Sequence, residues 1–189
     1  MKSLVWLRND LRMDDNPALK NACLYSDEVH CLYLFLPDQM ESHNEANCKI
    51  EFIIENLKDL ESNLSKINVP LTVITSKCFD DCAKLIMDVV NQRSINKVYW
   101  NNQFGYDEQK RDIVVKDILD KNSVFNESFD DQVLFSPGTI KTMEVRPYSV
   151  FTPFKRRWIE NFDMDFLDIE FRYTAKKESN IKSNVNNIL

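Results

Sequence analysis

Short apolar runs that alternate with helical patterns constrain this chain more than any other feature. Leu4 to Leu7, Val29 to Phe35, Leu71 to Thr75 and Lys97 to Trp100 are brief, rich in β-branched and aromatic residues, and read as buried parallel strands. Between them, Ile50, Ile53, Ile54, Leu57, Leu60 and Leu64 recur at three- and four-residue spacing, as do Cys82, Leu85, Ile86, Val89 and Val90. Each set forms one apolar stripe that a helix would press against a sheet. Asp15 and Asn16 before Pro17 predict an N-cap followed by proline at the first helical position, and Asp80 and Asp81 complement the dipole of the helix after them. A further helix is predicted from Tyr106 to Asp120. Strand, helix and strand in repeated succession predict an α/β, doubly wound parallel sheet, whose ligands gather beyond the carboxyl ends of the strands. The loops after Leu7, Phe35 and Trp100 are therefore the expected seat of function.

With 189 residues and 43% hydrophobic content, the chain can fill one main core and carry an appendage. A mixed segment from Trp158 through Arg172 gives way to Lys176 to Asn187, which is polar and rich in lysine and asparagine and reads as a linker or frayed tail. The 24 basic and 30 acidic residues give a net charge of −6, which opposes non-specific attraction to a phosphate backbone. This stretch alone is expected to bind DNA poorly. No basic stretch leads into a signal-type hydrophobic region, and the apolar runs are too short to span a bilayer, so no membrane partner and a cytoplasmic location are expected. Five cysteines without CxxC spacing argue for reduced thiols rather than a disulfide framework or a zinc ribbon, and the sequons at Asn63 and Asn126 are then chance matches. A monomer is expected.

Gly105 and Gly138 are the only glycines, which leaves neither a GxGxxG dinucleotide turn nor a glycine-rich phosphate loop. His30 and His43 supply too little for a metal cluster or a nucleophile-base pair. His30, in a strand-like run, is expected to be structural. Trp6 and Trp100 sit in apolar strand contexts and are expected in the core, with no redox role.

Three ordered blocks resemble the cryptochrome/photolyase family. VWLRNDLRMDDNPAL, Val5 to Leu19, looks like the family's opening signature, with Leu7 where phenylalanine is usual. WNNQFGYDEQKRD, Trp100 to Asp112, is similar to the family stretch in which a glutamate is followed by Arg-Asp. Pro137-Gly138, Thr142 and PYSVFTPFKRRW, Pro147 to Trp158, match the segment that leads out of the family's first domain. The resemblance implies a Rossmann-like, five-stranded parallel sheet with helices on both faces. Residues 1–160 would form the antenna domain and 161–189 would begin an interdomain linker or tail. It further implies a light-driven carbon-carbon lyase that splits cyclobutane pyrimidine dimers in UV-damaged DNA, with reduced FAD as electron donor. In the family the flavin, its electron relay and the lesion pocket lie in a C-terminal helical domain, which would be this chain's partner in cis and has no counterpart here. The fragment is expected to be inactive alone.

The same resemblance nominates His43, Asp107 and Glu108 as contacts to a methenyltetrahydrofolate antenna. A pterin edge offers an amino group beside a ring N–H, which one carboxylate accepts as two parallel hydrogen bonds, and Glu108 suits that role. Each residue has a plainer explanation. Glu108 is favoured in a first helical turn by the dipole alone. Asp107, where the family more usually has asparagine, could be an N-cap. His43 could be an exposed loop residue. Arg8, Asn9, Asp10 and Arg12 follow the first strand and read mainly as structure, with a buried Arg-Asp pair fixing the turn; Lys155, Arg156 and Arg157 read as a solvated helix face. Two other functions remain open at this point: the first domain of a cryptochrome-like photoreceptor, and a remnant nucleotide- or folate-binding module. A cleft that needs a second domain for its other wall holds pigment weakly.

Overall fold

The computed structural model describes residues 1–163 and 173–185. Five strands, β1 (Lys2–Leu7), β2 (Glu28–Phe35), β3 (Leu71–Thr75), β4 (Lys97–Asn101) and β5 (Phe125–Phe129), pair in parallel in the order β3-β2-β1-β4-β5. The predicted doubly wound sheet is what forms. Pairing of β1 with β2 runs in register from Lys2 opposite Glu28 to Leu7 opposite Tyr33, and β4 flanks β1 on its other side. Side chains alternate between faces along each strand. Val5, Leu7, Val29, Cys31, Tyr33, Val73 and Tyr99 share one core cluster with residues of α1 (Pro17–Tyr25) and α3 (Asn47–Ser65). Leu4, Trp6, Leu32, Leu34, Val98 and Trp100 share the other with α4 (Cys82–Arg93) and α5 (Tyr106–Lys121). Two further helices, α2 (Pro37–Ser42) and α6 (Phe151–Glu160), also form among the described residues. None of the helices is long and apolar enough to cross a membrane among the described residues.

The helix starts follow local chemistry with two departures. Asn16 caps α1 by accepting from the Leu19 N–H at 3.1 Å, with Pro17 in the first helical position. Ahead of α4, a 3₁₀ turn over Phe79–Asp81 intervenes, and Asp81 spends its carboxylate on the Ser76 hydroxyl at 2.7 Å rather than on a cap. At α5 the N-cap is Gly105, so Asp107 sits within the first turn and is not the cap. All five cysteines are free thiols, with Cys23, Cys31 and Cys82 buried.

The described part of the polar C-terminal segment is not frayed. It lies along β3, which is an edge strand. The Leu71 N–H donates to Ser183 Oγ at 2.9 Å, and the Asn184 side chain accepts from the Val73 N–H at 2.7 Å while donating to the Val73 carbonyl at 3.0 Å. Asn184 thus satisfies ladder groups that an edge strand would otherwise leave open. Val185 and Ala175 are buried in the first core cluster.

His30 is buried within β2, and its Nε2 lies 2.9 Å from Glu28 Oε1. Desolvation lowers its pKa from the ordinary 6.5, outweighing the opposing pull of Glu28, and Arg93 lowers it further. A folded-state pKa below the unfolded one means that the unfolded chain takes up the proton first. Stability is therefore full above about pH 6.5 and falls as pH drops through the interval down to the folded value. Glu28 and Asp27, whose pKa values are depressed, keep their contributions until pH falls below the ordinary carboxylate range. Urea midpoints between pH 7.5 and 5.5 are expected to decline for the wild type and to flatten in His30→Leu. Equal slopes for the two proteins would refute this.

Candidate functional site

β1, β2 and β4 end side by side, and the chain departs from them in different directions, because β1 feeds toward β2 while β4 continues toward β5. A crevice opens at this reversal, as open α/β sheets dictate. It is a half-open cleft of about 120 Å³. Arg8 and Asn9 after β1, Leu34 and Leu36 at the end of β2, Gln39, Met40 and His43 from α2, and Gln103, Glu108 and Arg111 around the start of α5 all line it.

Its floor is cationic and aromatic. The Arg8 and Arg111 guanidiniums lie over the buried Trp6 ring, with Cζ 4.3 and 4.8 Å from the ring centroid, and Trp6 meets Trp100 edge-on at 6.3 Å. Arg111 also covers Phe79 at 4.7 Å, and Phe79 meets His43 edge-on at 6.4 Å, so a continuous stack runs from the core to the rim. Asp112 accepts from Arg111 Nε and Nη2 at 2.9 and 2.7 Å and stands 3.5 Å from Arg8. Gln103 Oε1 takes another Arg111 N–H at 2.8 Å. Arg8 donates through Nη2 to the Asn101 carbonyl, while its Nε and Nη1 have no hydrogen-bond partner among the described residues. Burial lowers the Arg8 pKa to about 10, with Asp112 opposing and Arg111 adding to the fall, so the group stays charged at neutral pH.

At the rim, His43 closes α2 as its C-cap, exposed, with Nε2 2.7 Å from Gln39 Nε2. An amide nitrogen donates, so the imidazole Nε2 accepts there. Glu108 occupies the first turn of α5. His43 and Glu108 are thus brought to one cleft, whereas Asp107 is exposed and lies off its lining. The Arg-Asp pairing expected in this turn is made partly through the backbone. Asp10 Oδ1 accepts the Arg8 backbone N–H at 2.7 Å, and the guanidinium turns to Asp112. Arg12 points elsewhere, to Asp131 at 2.6 Å. Sequence reasoning assigned no role to Gln103, Phe79 or Arg111. The one available signal was the Arg-Asp pair three residues past Glu108, which puts Arg111 on the same helical face.

The sequence pattern that describes DNA photolyases matches residues 3–174. The chain belongs to the DNA photolyase family. Its relatives include the deoxyribodipyrimidine photo-lyase of Salmonella typhimurium, 35% identical over 163 residues that cover 86% of this chain and 34% of that protein. The corresponding enzyme of Vibrio cholerae is 33% identical over 159 residues, which cover 84% of this chain and 34% of the relative. This chain therefore spans about a third of the length of the curated relatives it matches. A class III photolyase crystal structure from Agrobacterium tumefaciens shares the fold, with a TM-score of 0.79 at 24% identity, covering 98% of this chain and 37% of that one. Two of the three sequence blocks that carry the photolyase resemblance converge on the cleft, Arg8 and Asn9 from the first and Gln103, Glu108 and Arg111 from the second. The third forms α6, away from the cleft, where Phe151 and Ile159 are exposed and Trp158 packs edge-on against Phe135 at 5.3 Å.

Proposed function

We propose that residues 1–160 are the antenna-chromophore domain of a light-dependent deoxyribodipyrimidine photolyase, with 161–189 opening the link to the rest of such an enzyme. In this reading the cleft holds methenyltetrahydrofolate, which when bound absorbs near-ultraviolet light and passes the excitation on. FAD and the cyclobutane dimer belong to the part of photolyases that this chain does not span, and the chain alone splits no dimers. The observation that carries the reading is the cleft at the strand ends with the Glu108 carboxylate on its lining. Glu108 accepts the paired N–H donors of the pterin edge. His43 packs on the ring from the α2 side, held by Gln39 and Phe79. The Arg8 and Arg111 cations give the floor a positive field suited to an anionic folate tail. Asp107, off the lining, is not assigned a contact.

Titration of the purified chain with methenyltetrahydrofolate, followed by pigment fluorescence, tests this. Glutamine offers one acceptor where glutamate offers two and presents an amide donor to a donor edge. Glu108→Gln is expected to weaken binding about 10- to 100-fold, the worth of a charge-assisted hydrogen bond. Equal affinity for the two proteins, or no binding by the wild type at millimolar pigment, would falsify the folate reading. In a protein that also carries the flavin-bearing part, blue-light repair of dimer-containing DNA separates a photolyase from a cryptochrome-like photoreceptor.

A further inference from the structure

Gly105 opens α5 with φ −64° and ψ 148°, a conformation that any residue adopts. The backbone does not demand a glycine there. What the missing side chain provides is room. A Cβ at this position would overlap Glu108 Oε2 and stand 2.8 Å from Glu108 Cδ. The carboxylate of Glu108 therefore lies across the face of Gly105. Glu108 is the third helical residue after the cap, the place from which a glutamate ordinarily reaches back toward the N-cap backbone. Here its carboxylate folds over the cap residue.

We propose that Gly105 is a positioning residue of the cleft, providing the seat that holds the Glu108 carboxylate on the lining. The inference rests on the reading that Glu108 receives the pterin edge, and it adds what places that group. Any side chain at 105 displaces the carboxylate, because the far end of a flexible glutamate yields more readily than helix backbone. The acceptor then leaves the place from which it meets the ring. Gly105 acts only through Glu108, which separates this role from a general effect on the helix start.

The test is a double-mutant cycle on the 189-residue chain, titrated with methenyltetrahydrofolate, together with a crystal structure of Gly105→Ala. The single change G105A is expected to leave the urea midpoint nearly unchanged and to weaken pigment binding about 5- to 10-fold, the worth of roughly one misplaced hydrogen bond. The double variant G105A/E108Q is expected to bind no more weakly than E108Q alone, since coupled positions are not additive. In the crystal, the Glu108 carboxylate of G105A is expected outside its wild-type seat. An unmoved carboxylate, wild-type affinity in G105A, or losses that multiply in the double variant each overturn the proposal. Failure of the folate reading shows separately, as equal affinity for the wild type and E108Q.

Discussion

Asp112→Asn is expected to destabilise the fold by about 3 to 5 kcal/mol, the cost of breaking a buried ion pair from one side. Asp112 is the carboxylate shared by two guanidiniums, and the side chains are 13% exposed for Asp112, 6% for Arg8 and 4% for Arg111. Asparagine keeps the shape and removes the charge. Arg8 and Arg111 would then face each other over the Trp6 ring, with Asp10 left to offset the Arg8 charge. The Oδ1 that takes both Arg111 donors would lose its charge, and an amide nitrogen would stand where Oδ2 faces Arg8. The measurement is urea denaturation at pH 7, with a lower midpoint at an unchanged m-value. A loss below about 1 kcal/mol would mean that solvent or a local shift compensates, and that the floor of the cleft is not the closed cluster described above.

Most of the sheet was legible because strands buried on both faces show as unbroken apolar runs. Leu4 to Leu7 and Val29 to Phe35 could be nothing else, and β1 and β2 only extend them by a residue or two at their amino ends. β5 escaped detection for the converse reason. Its sequence, FNESF, belongs to an edge strand with Phe125 and the two residues before Phe129 exposed, so no apolar run marks it. α2 escaped because six residues are too few to show a helical period, although Pro37 marks its first position. The C-terminal segment defeated composition in another way. Ser183 and Asn184 look like solvated chain, and only the unpaired edge of β3 turns their polar groups into backbone partners.

The cleft divides along similar lines. His43 and Glu108 came to notice through family resemblance, and the structure places both on the lining while leaving Asp107 outside it. Arg111 and Asp112 are adjacent charged residues on a helix, a pattern that usually means a wet surface. Their burial depends on Trp6 from β1, Phe79 from the 3₁₀ turn and Gln103 from the loop after β4, none of which is near in sequence. Arg8 was legible as a buried cation, but its partner was not. The nearby Asp10 is engaged by the backbone, and the charge partner lies on α5.

Asn101→Ala is the second change expected to be severe, by about 2 to 4 kcal/mol, because it strands buried polar groups on two different elements. Asn101 is the last residue of β4 and is buried. Its side-chain Nδ2 donates to Asp10 Oδ2 at 2.7 Å and to Asn16 Oδ1 at 2.9 Å, and its Oδ1 accepts the Ala18 N–H at 3.1 Å. The Ala18 N–H is one of the orphan donors of the α1 start, so α1 is capped twice, by its own Asn16 and by a strand across the sheet. Alanine leaves a buried Asp10 oxygen and a buried Ala18 N–H without partners. Asn101→Asp separates the donor half of this arrangement from the acceptor half. Aspartate can still accept from Ala18, but it donates nothing and sets a second negative charge against Asp10. It is expected to be at least as damaging as alanine, with faster amide exchange at Ala18 and Leu19 in both variants. An aspartate as stable as the wild type would mean that the donations to Asp10 and Asn16 contribute little. The loop that carries Arg8 and Asn9 to the cleft would then owe its position to the Arg8–Asp112 contact and to packing on Trp6.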